Sequence, residues 1–496
     1  MLPLSVMPLR LYNTFSKREE EFISLEPGEV RMYTCGPTVY GRPHVGNYAS
    51  FLMADLLRRW FEVGHGYHVH HVKNITDVGH LLHDADHGDD KIQKEAEKQK
   101  MQPLDIARRY ENEFLDDECA LNILDSEARP RASAFIKEQL AMVRTLLEKG
   151  KAYETDDGIY FAVTTFPQYG ALSGNTLENL SAGVRVDINE KKKHPADFAL
   201  WKKCVGENAK HVLRWSFTTG EPVPSTGEDA SAGFPGWHIE CSAMSAAILG
   251  PQIDLHTGGE DNIFPHHECE IAQSESVTGK KPFVRYWLHR RRINMGSEKM
   301  SKSLGNMLTL SDIQNMGYSP LDLRYYLLSV HYRTHLKFTK KGLGDAHIAR
   351  RRILDWIVQK GMREFGQRGS PNAIADFSFE NVKECYENFK QAMDNDLNTP
   401  AALGAVFECM NSVNSSSVPD TEGMELLENF AHLVQETFGC FESEEEVPQE
   451  VEQLLVERTH AREEKDFAAS DRLRDAIQKY GFEVRDTPQG QEVKKL

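Results

Sequence analysis

The sequence predicts an α/β protein: a parallel-sheet core interrupted by an inserted domain, followed by an α-helical bundle and a small C-terminal unit. Three observations lead there. A strand, a helix and a second strand follow one another between residues 30 and 72, and such a unit closes as a parallel pair. Residues 150–200 switch to short alternating runs with turn signals, which mark a separate set of strands. From about 318 to 440 the apolar spacing is helical throughout.

The elements follow in order. Val30-Arg-Met-Tyr-Thr-Cys35 reads as a buried strand running into a Gly36-Pro37 turn. Phe51, Leu52, Leu56 and Trp60 recur at helical spacing between Gly46 and Phe61. A second strand, Tyr67-His-Val-His-His-Val72, leads to Lys73-Asn-Ile-Thr-Asp77. Residues 90–130 read as charged helix, and Gly158-Ile-Tyr-Phe-Ala-Val163 as a strand of the insert. The stretch 205–235, rich in Gly, Ser, Thr, Pro and Glu, is expected to be a surface loop. Mixed strand and helix resume from 236 to 303. An acidic linker, Glu442 to Glu452, precedes the last unit.

Composition narrows the function classes. The 496 residues carry 58 basic and 75 acidic side chains, a formal net charge of −17, and 40% hydrophobic residues. That is too apolar for a disordered chain, and about 150 residues per domain gives roughly three domains. No apolar run approaches the ~18–20 residues of a membrane span. The start, Met1-Leu-Pro-Leu-Ser-Val6, lacks a charged segment before an apolar stretch, so a cytoplasmic protein is expected. Eight cysteines, at 35, 119, 204, 241, 269, 385, 409 and 440, form no close-spaced framework. They read as reduced thiols or metal ligands.

Two motifs carry chemistry. Pro43-His-Val-Gly-Asn47 falls after a strand and at the start of a helix. Free N–H groups and the positive dipole end suit a phosphate there. His44 and Asn47 can donate to phosphate oxygens, and Gly46 permits close approach. Alone, the five residues fit a structural turn with a capping His better than a phosphate site. Lys299-Met-Ser-Lys-Ser303, followed by Leu304-Gly-Asn306, can set Lys299 and Lys302 on a polyphosphate as charge develops in a transition state. A solvated loop is the bland alternative, but the pair of motifs in this order is highly specific.

With these motifs, the chain resembles the class I aminoacyl-tRNA synthetases, and among them the cysteinyl-tRNA synthetase family. The resemblance runs nearly end to end. It passes through Leu9-Arg-Leu-Tyr-Asn13, Tyr33-Thr-Cys-Gly-Pro-Thr-Val-Tyr40, Asn74-Ile-Thr-Asp77 and Asp197-Phe-Ala-Leu-Trp-Lys202. It continues through Gly236-Trp-His-Ile-Glu-Cys-Ser-Ala-Met244, Phe264-Pro-His-His-Glu268, Ala392-Met-Asp-Asn-Asp-Leu-Asn-Thr-Pro400 and Asp486-Thr-Pro-Gln-Gly490. It implies ATP-dependent activation of L-cysteine to cysteinyl adenylate, with Mg2+ accompanying ATP, and transfer to the terminal ribose of tRNA(Cys). The implied fold is a Rossmann-type catalytic core in two halves, 1–135 and 236–280, split by a connective domain and loop at 136–235. A stem-contact region with the lysine-bearing loop (281–330), a helical bundle (331–440) and an anticodon-binding unit (441–496) follow. A monomer without membrane contact is implied.

Cysteine must be told from serine, which differs by one atom, and an apolar pocket separates such near-isosteres only ~100-fold. A soft metal that prefers thiolate to hydroxyl solves this. The resemblance implies one Zn2+ per chain on Cys35, Cys241, His266 and Glu270. Spacing alone does not establish that site, because no ordinary finger pattern fits. The resemblance further places Gly36, Thr76, Trp237, His256 and Asp261 around the amino acid. His65, His68, His70 and His71 crowd one strand and read as structural rather than metal-binding, while His80, His83 and His87 stay without a role.

Departures from the family pattern include Asn47 for the last His of the first motif, and Val493 where an aromatic platform for an anticodon base often stands. Net acidity argues against casual RNA binding, yet local charge decides. Residues 281–303 carry seven basic side chains against one acidic, and 337–352 six against one. The first run leads into the lysine-bearing loop and is expected to meet the acceptor stem. A ligase joining cysteine to a small amine is the nearest rival, but it would lack the distal unit. A non-catalytic binding protein should have lost the ligands or the signature lysines, and this chain keeps both.

Overall fold

The computed structural model describes residues 8–81, 90–181, 191–225, 229–295, 298–299, 307–359, 379–414, 421–441, 449–463, 466–487 and 490–495. The chain forms two compact units, 1–441 and 442–496.

The first unit opens with an antiparallel pair, β1 (Arg10–Asn13) and β2 (Arg18–Glu21), before β3 (Glu29–Thr34), α1 (Val45–Arg59) and β4 (His68–Lys73). β3 and β4 pair in parallel, Glu29 opposite His68 and Thr34 opposite Lys73, so the strand–helix–strand reading holds. The helical repeat brings Tyr48, Phe51, Leu52 and Leu56 of α1 into one core. Helices α2 (Lys91–Gln99), α3 (Pro103–Ala120) and α4 (Ile136–Glu148) follow.

The insert holds β5 (Ala152–Glu154), β6 (Gly158–Phe161), α5 (Leu177–Ser181), β7 (Phe198–Lys203), β8 (Trp215–Ser216) and β9 (Ala232–Pro235). Its five strands form one antiparallel sheet, β5-β6-β7-β9-β8. This corrects the expectation of a plain surface loop over 205–235. The stretch contributes two strands, with Trp215 and Phe234 buried. Strands of two to four residues are too short to show a period, so their turn-rich flanks dominated the sequence signal.

The chain then returns through α6 (Trp237–Ile248), β10 (Ile253–Gly259), α7 (Glu268–Thr278) and β11 (Val284–Arg290). These complete an all-parallel core sheet, β11-β10-β3-β4. Alternation along each strand divides its side chains between two cores. Met32, Val69 and Leu288 join α1, whereas Tyr33, Val72 and Trp287 join α4, α6 and α7. Helices on both faces are the usual condition for a parallel sheet.

Next come β12 (Ile293–Met295), β13 (Glu298–Lys299), α8 (Leu310–Asn315), α9 (Pro320–Leu328) and β14 (Leu336–Phe338). β14 lies parallel to β12, which interrupts the helix-only reading of 318–440. Helices α10 (Lys340–Gln359), α11 (Phe379–Asp394), α12 (Thr399–Asn414) and α13 (Thr421–Phe438) close the unit. They are tied to the core by buried polar contacts: Trp60 Nε1 donates to Asp394 Oδ1 at 2.9 Å and Arg324 Nε to the Phe438 carbonyl at 2.5 Å. The second unit consists of α14 (Gln449–Glu463), α15 (Phe467–Lys479) and the hairpin β15 (Phe482–Thr487) and β16 (Gly490–Lys495). Val451, Ile477, Phe482 and Val484 form its core.

Candidate active site

A cleft of about 470 Å³ opens beyond the carboxyl ends of β3 and β10, where open parallel sheets bind ligands. Cys35 and Gly36 follow β3 directly. The chain turns there so tightly that a Cβ on Gly36 would lie 1.6 Å from the Asn74 carbonyl oxygen, which only glycine avoids. Asn74 secures the turn, accepting from the Gly36 N–H at 2.9 Å.

Thiols, imidazoles and carboxylates converge behind Cys35. Its Sγ lies 3.9 Å from Cys241 Sγ on α6, 3.7 Å from Glu270 Oε1 on α7 and 3.3 Å from His267 Nε2. His266 Nε2 is 3.1 Å from Glu270 Oε1. Two sets of four donors each fall within 4.8 Å: Cys35, Cys241, His266 and Glu270, and Cys35, His256, His267 and Glu270. Burial, with Cys241 and Glu270 adjoining, pushes the Cys35 thiol well above its ordinary range. Burial likewise raises Cys241 and lowers His266 to about 3. Neutral thiols, a neutral imidazole and a carboxylate packed in a dry site are a donor set that a dication would complete, and the pair of sulfurs in the first set suits a soft one.

Neighbours hold these donors in place. His266 Nδ1 lies 2.9 Å from His238 Nδ1, and His267 Nδ1 lies 2.8 Å from His289 Nε2. His256 Nε2 contacts Glu270 Oε2 at 3.1 Å. Trp237 stacks between His80 and His266, with centroids 4.0 and 4.2 Å away. His80 Nδ1 lies 2.7 Å from Thr38 Oγ1.

The other end of the cleft is the N-terminus of α1. His44 is its N-cap in extended backbone, and Asn47 Oδ1 accepts from the His44 N–H at 3.1 Å. The Asn47 NH2 remains for a ligand. A Cβ on Gly46 would sit 2.8 Å from the His44 ring, so glycine here makes room for that ring.

Cys35, Gly36, His44, Gly46, Asn47, Trp237 and Asp261 thus line the cleft. Cys241, His266, His256 and Glu270 are buried beside Cys35. Thr76 is buried behind the cleft-lining Pro37 and Thr38, to which its backbone is bridged, and donates to Glu240 Oε2 at 3.0 Å, and Asp261 pairs with Arg292 at 3.3 Å. The Lys299 backbone closes β13 opposite Asn294, and Lys302 lies outside the described residues, as do His83 and His87. Sequence reasoning missed His267, His238, His289 and Arg42. Arg42 clamps Asp117 through two nitrogens and reaches Ser311 Oγ at 2.5 Å, joining the cleft to α8. The doubled His266-His267 was the visible signal for one of them. The rest are brought in from distant elements.

Each basic run also has an internal member. Arg290 is buried and donates to the Tyr332 and Thr334 carbonyls, and Arg350 is buried against Asp322 at 2.7 Å. Both are held by acceptors within the protein.

A parallel sheet split by an inserted sheet, with a ligand cleft between a metal-type cluster and a helix N-terminus, is the architecture of a class I aminoacyl-tRNA synthetase. Residues 21–348 match the class I (C) tRNA synthetase catalytic domain, 388–441 the DALR domain, and 444–493 the cysteinyl-tRNA ligase anticodon binding domain. Curated cysteine–tRNA ligases from Chlorobium chlorochromatii and Thermococcus onnurineus are 39% and 40% identical, each alignment covering 98% of both chains. The chain belongs to the cysteine–tRNA ligase family. Solved structures share the fold alone. A methionyl-tRNA synthetase of Mycobacterium tuberculosis with methionyl-adenylate superposes with TM-score 0.54 at 14% identity, covering 83% of this chain and 89% of that one. A LeuRS–tRNA–LeuAMS complex from Agrobacterium radiobacter gives 0.57 at 11%, covering 85% of each chain.

Proposed function

We propose that this chain activates L-cysteine with ATP and transfers the cysteinyl group to the 3′-terminal ribose of tRNA(Cys). The observation that carries this reading is the convergence of two thiols, an imidazole and a carboxylate at the end of a cleft whose other end is a capped helix N-terminus. Cys35, Cys241, His266 and Glu270 would hold Zn2+, the set with two sulfurs being the softer. Bound there, zinc supplies a preference for thiolate over hydroxyl. His256, against Glu270, orients that ligand.

The protein's own groups do the rest. His44, Gly46 and Asn47 receive the ATP phosphates, with Mg2+ accompanying the nucleotide. The cysteine carboxylate attacks the α-phosphorus, the bond to the β-phosphate oxygen breaks, and pyrophosphate leaves toward Lys299 and Lys302. Gly36, Trp237 and Asp261 border the amino acid, and Thr76 braces the wall through Glu240. The segment 281–330 contacts the acceptor stem, 331–440 forms the bundle beside it, and 441–496 reads the anticodon. The enzyme works as a cytoplasmic monomer.

The test replaces the resident metal with Co2+ and follows absorption. Cysteine should change the thiolate charge-transfer bands and serine should not, and pyrophosphate exchange should require cysteine. A spectrum indifferent to cysteine would leave the metal a purely structural role.

A further inference from the structure

We propose that Glu29, His68 and His70 form a second metal site, on the protein surface, for a divalent cation of the zinc kind, with Glu127 holding the outer nitrogens of the two rings. The sequence reading made all four histidines of this strand structural, and for two of them the structure agrees. His65 Nε2 lies 2.6 Å from Asp394 Oδ1, and His71 Nε2 lies 2.9 Å from Thr34 Oγ1.

The other two differ. His68 and His70 stand two apart on β4, an edge strand of the core sheet, so they share one face, while Val69 between them is buried. A carboxylate flanks the pair on each side. Glu29 begins β3 directly opposite His68. Glu127 precedes Ala128, which bridges to Val72 along the outer edge of β4.

Every imidazole nitrogen of the pair faces a carboxylate. Glu29 Oε2 lies 3.0 Å from His68 Nδ1 and 2.8 Å from His70 Nε2. Glu127 Oε1 and Oε2 lie 3.4 Å from His68 Nε2 and 3.1 Å from His70 Nδ1. His68 Nδ1 and His70 Nε2 both face Glu29 Oε2, so these three atoms can meet one cation, while Glu127 holds the opposite nitrogen of each ring. One donor atom each from Glu29, His68 and His70 already falls within 4.8 Å. Ligands on a tetrahedral zinc lie ~3.3 Å apart, as bond lengths near 2 Å require. Small rotations therefore suffice, on backbone that the sheet holds fixed. Two imidazoles and one carboxylate favour zinc, nickel or copper over magnesium. Side-chain exposures of 38–61% leave the site open to exchange. It sits at the amino ends of β3 and β4, whereas the cleft lies beyond the carboxyl end of β3, so occupancy should not alter activity.

The test compares Zn2+ uptake by the intact protein with that of His68→Asn/His70→Asn, by equilibrium dialysis. The wild type should bind one equivalent more, or bind that equivalent at least tenfold more tightly, with cysteine-dependent pyrophosphate exchange equal in both. Glu29→Gln should lose the same equivalent, and it decides the matter if the histidine variant misfolds. Equal uptake by wild type and variants overturns the proposal, whatever the total bound.

Discussion

At the scale of the residue, buried charges separate those that hold the protein together from those that act on substrate. Asp55 accepts from Arg59 at 2.9 Å and from Arg324 at 2.5 Å, with all three side chains buried. Burial alone would raise its carboxyl, but attraction to Arg324 and then Arg59 outweighs it and lowers the group to about 2. A depressed folded value means stability that is complete above the unfolded value, near pH 4, and is lost as pH falls toward 2. The contribution is roughly 2 kcal/mol. In acid titrations followed by circular dichroism, wild type should lose this increment between about pH 4 and 2. Asp55→Asn should lack that component and be destabilised at pH 7 by about 3 kcal/mol, because two buried guanidinium groups lose their counter-charge. Lys302 has a different role in the proposed reaction. There its charge would meet the one developing on the phosphates, so Lys302→Ala should slow pyrophosphate exchange ~10²–10³-fold with little change in cysteine affinity. Exchange at the wild-type rate would remove it from the phosphate site.

At the scale of the element, α1 shows one side chain serving both fold and ligand. Asn47 caps the helix through its oxygen and presents its NH2 to the cleft. Asn47→Asp keeps the acceptor and adds a charge that a helix N-terminus tolerates, so the melting temperature should hold. In the proposed ATP site that same charge would face the phosphates, and KM for ATP should rise at least about tenfold. Asn47→Ala should instead cost about 1 kcal/mol of stability as the cap is lost. Equal ATP KM for Asn47→Asp and wild type would make the residue a cap only. A long element such as α1, with 15 residues, was legible from apolar spacing. The two- to four-residue strands at 215–216, 232–235 and 336–338 were not, since each is defined by a partner far along the chain.

At the scale of the whole molecule, the boundary between the two units matters most. A cut near residue 345, just after the sequence motifs for chemistry end, looks reasonable from sequence. The structure moves it. Arg59 and Arg324 donate to the Glu436 and Phe438 carbonyls, and Asn122 to that of Gly439. Gly439 itself has φ +56°, and a Cβ there would lie 2.8 Å from Arg324 Nη2. The catalytic half is closed by its last turn. A chain ending at Phe441 should therefore fold and keep cysteine-dependent pyrophosphate exchange while charging tRNA far more weakly, whereas one ending near 345 should not fold. Binding of tRNA by the intact chain should weaken steeply with salt, as phosphate neutralisation requires. Equal charging by the Phe441-terminated and full-length chains would remove the anticodon role of 441–496.

The sequence by itself determined the family and the chemistry. Signature lysines and a helix-opening His-Val-Gly-Asn are properties of residue type and order, readable over a few positions, and the thiol, imidazole and carboxylate set followed only from the family resemblance. It also determined the strand–helix–strand core, because burial imposes periods of 2 and 3.6 on any chain that forms one. Only the tertiary structure decided which neighbours complete the site. Cys35 and Glu270, 235 positions apart, meet because β3 and β10 are adjacent in the sheet. Of two consecutive histidines, one is turned toward His238 and the other toward His289. The same packing buried Arg290 and Arg350 within basic runs, turned the Thr76 hydroxyl onto Glu240 behind the cleft wall, and set Glu29 and Glu127 on either side of His68 and His70. Sequence records what each side chain is able to do, and the fold chooses its partner, because dispersion, desolvation and hydrogen bonding act over a few ångströms of space whatever the distance along the chain.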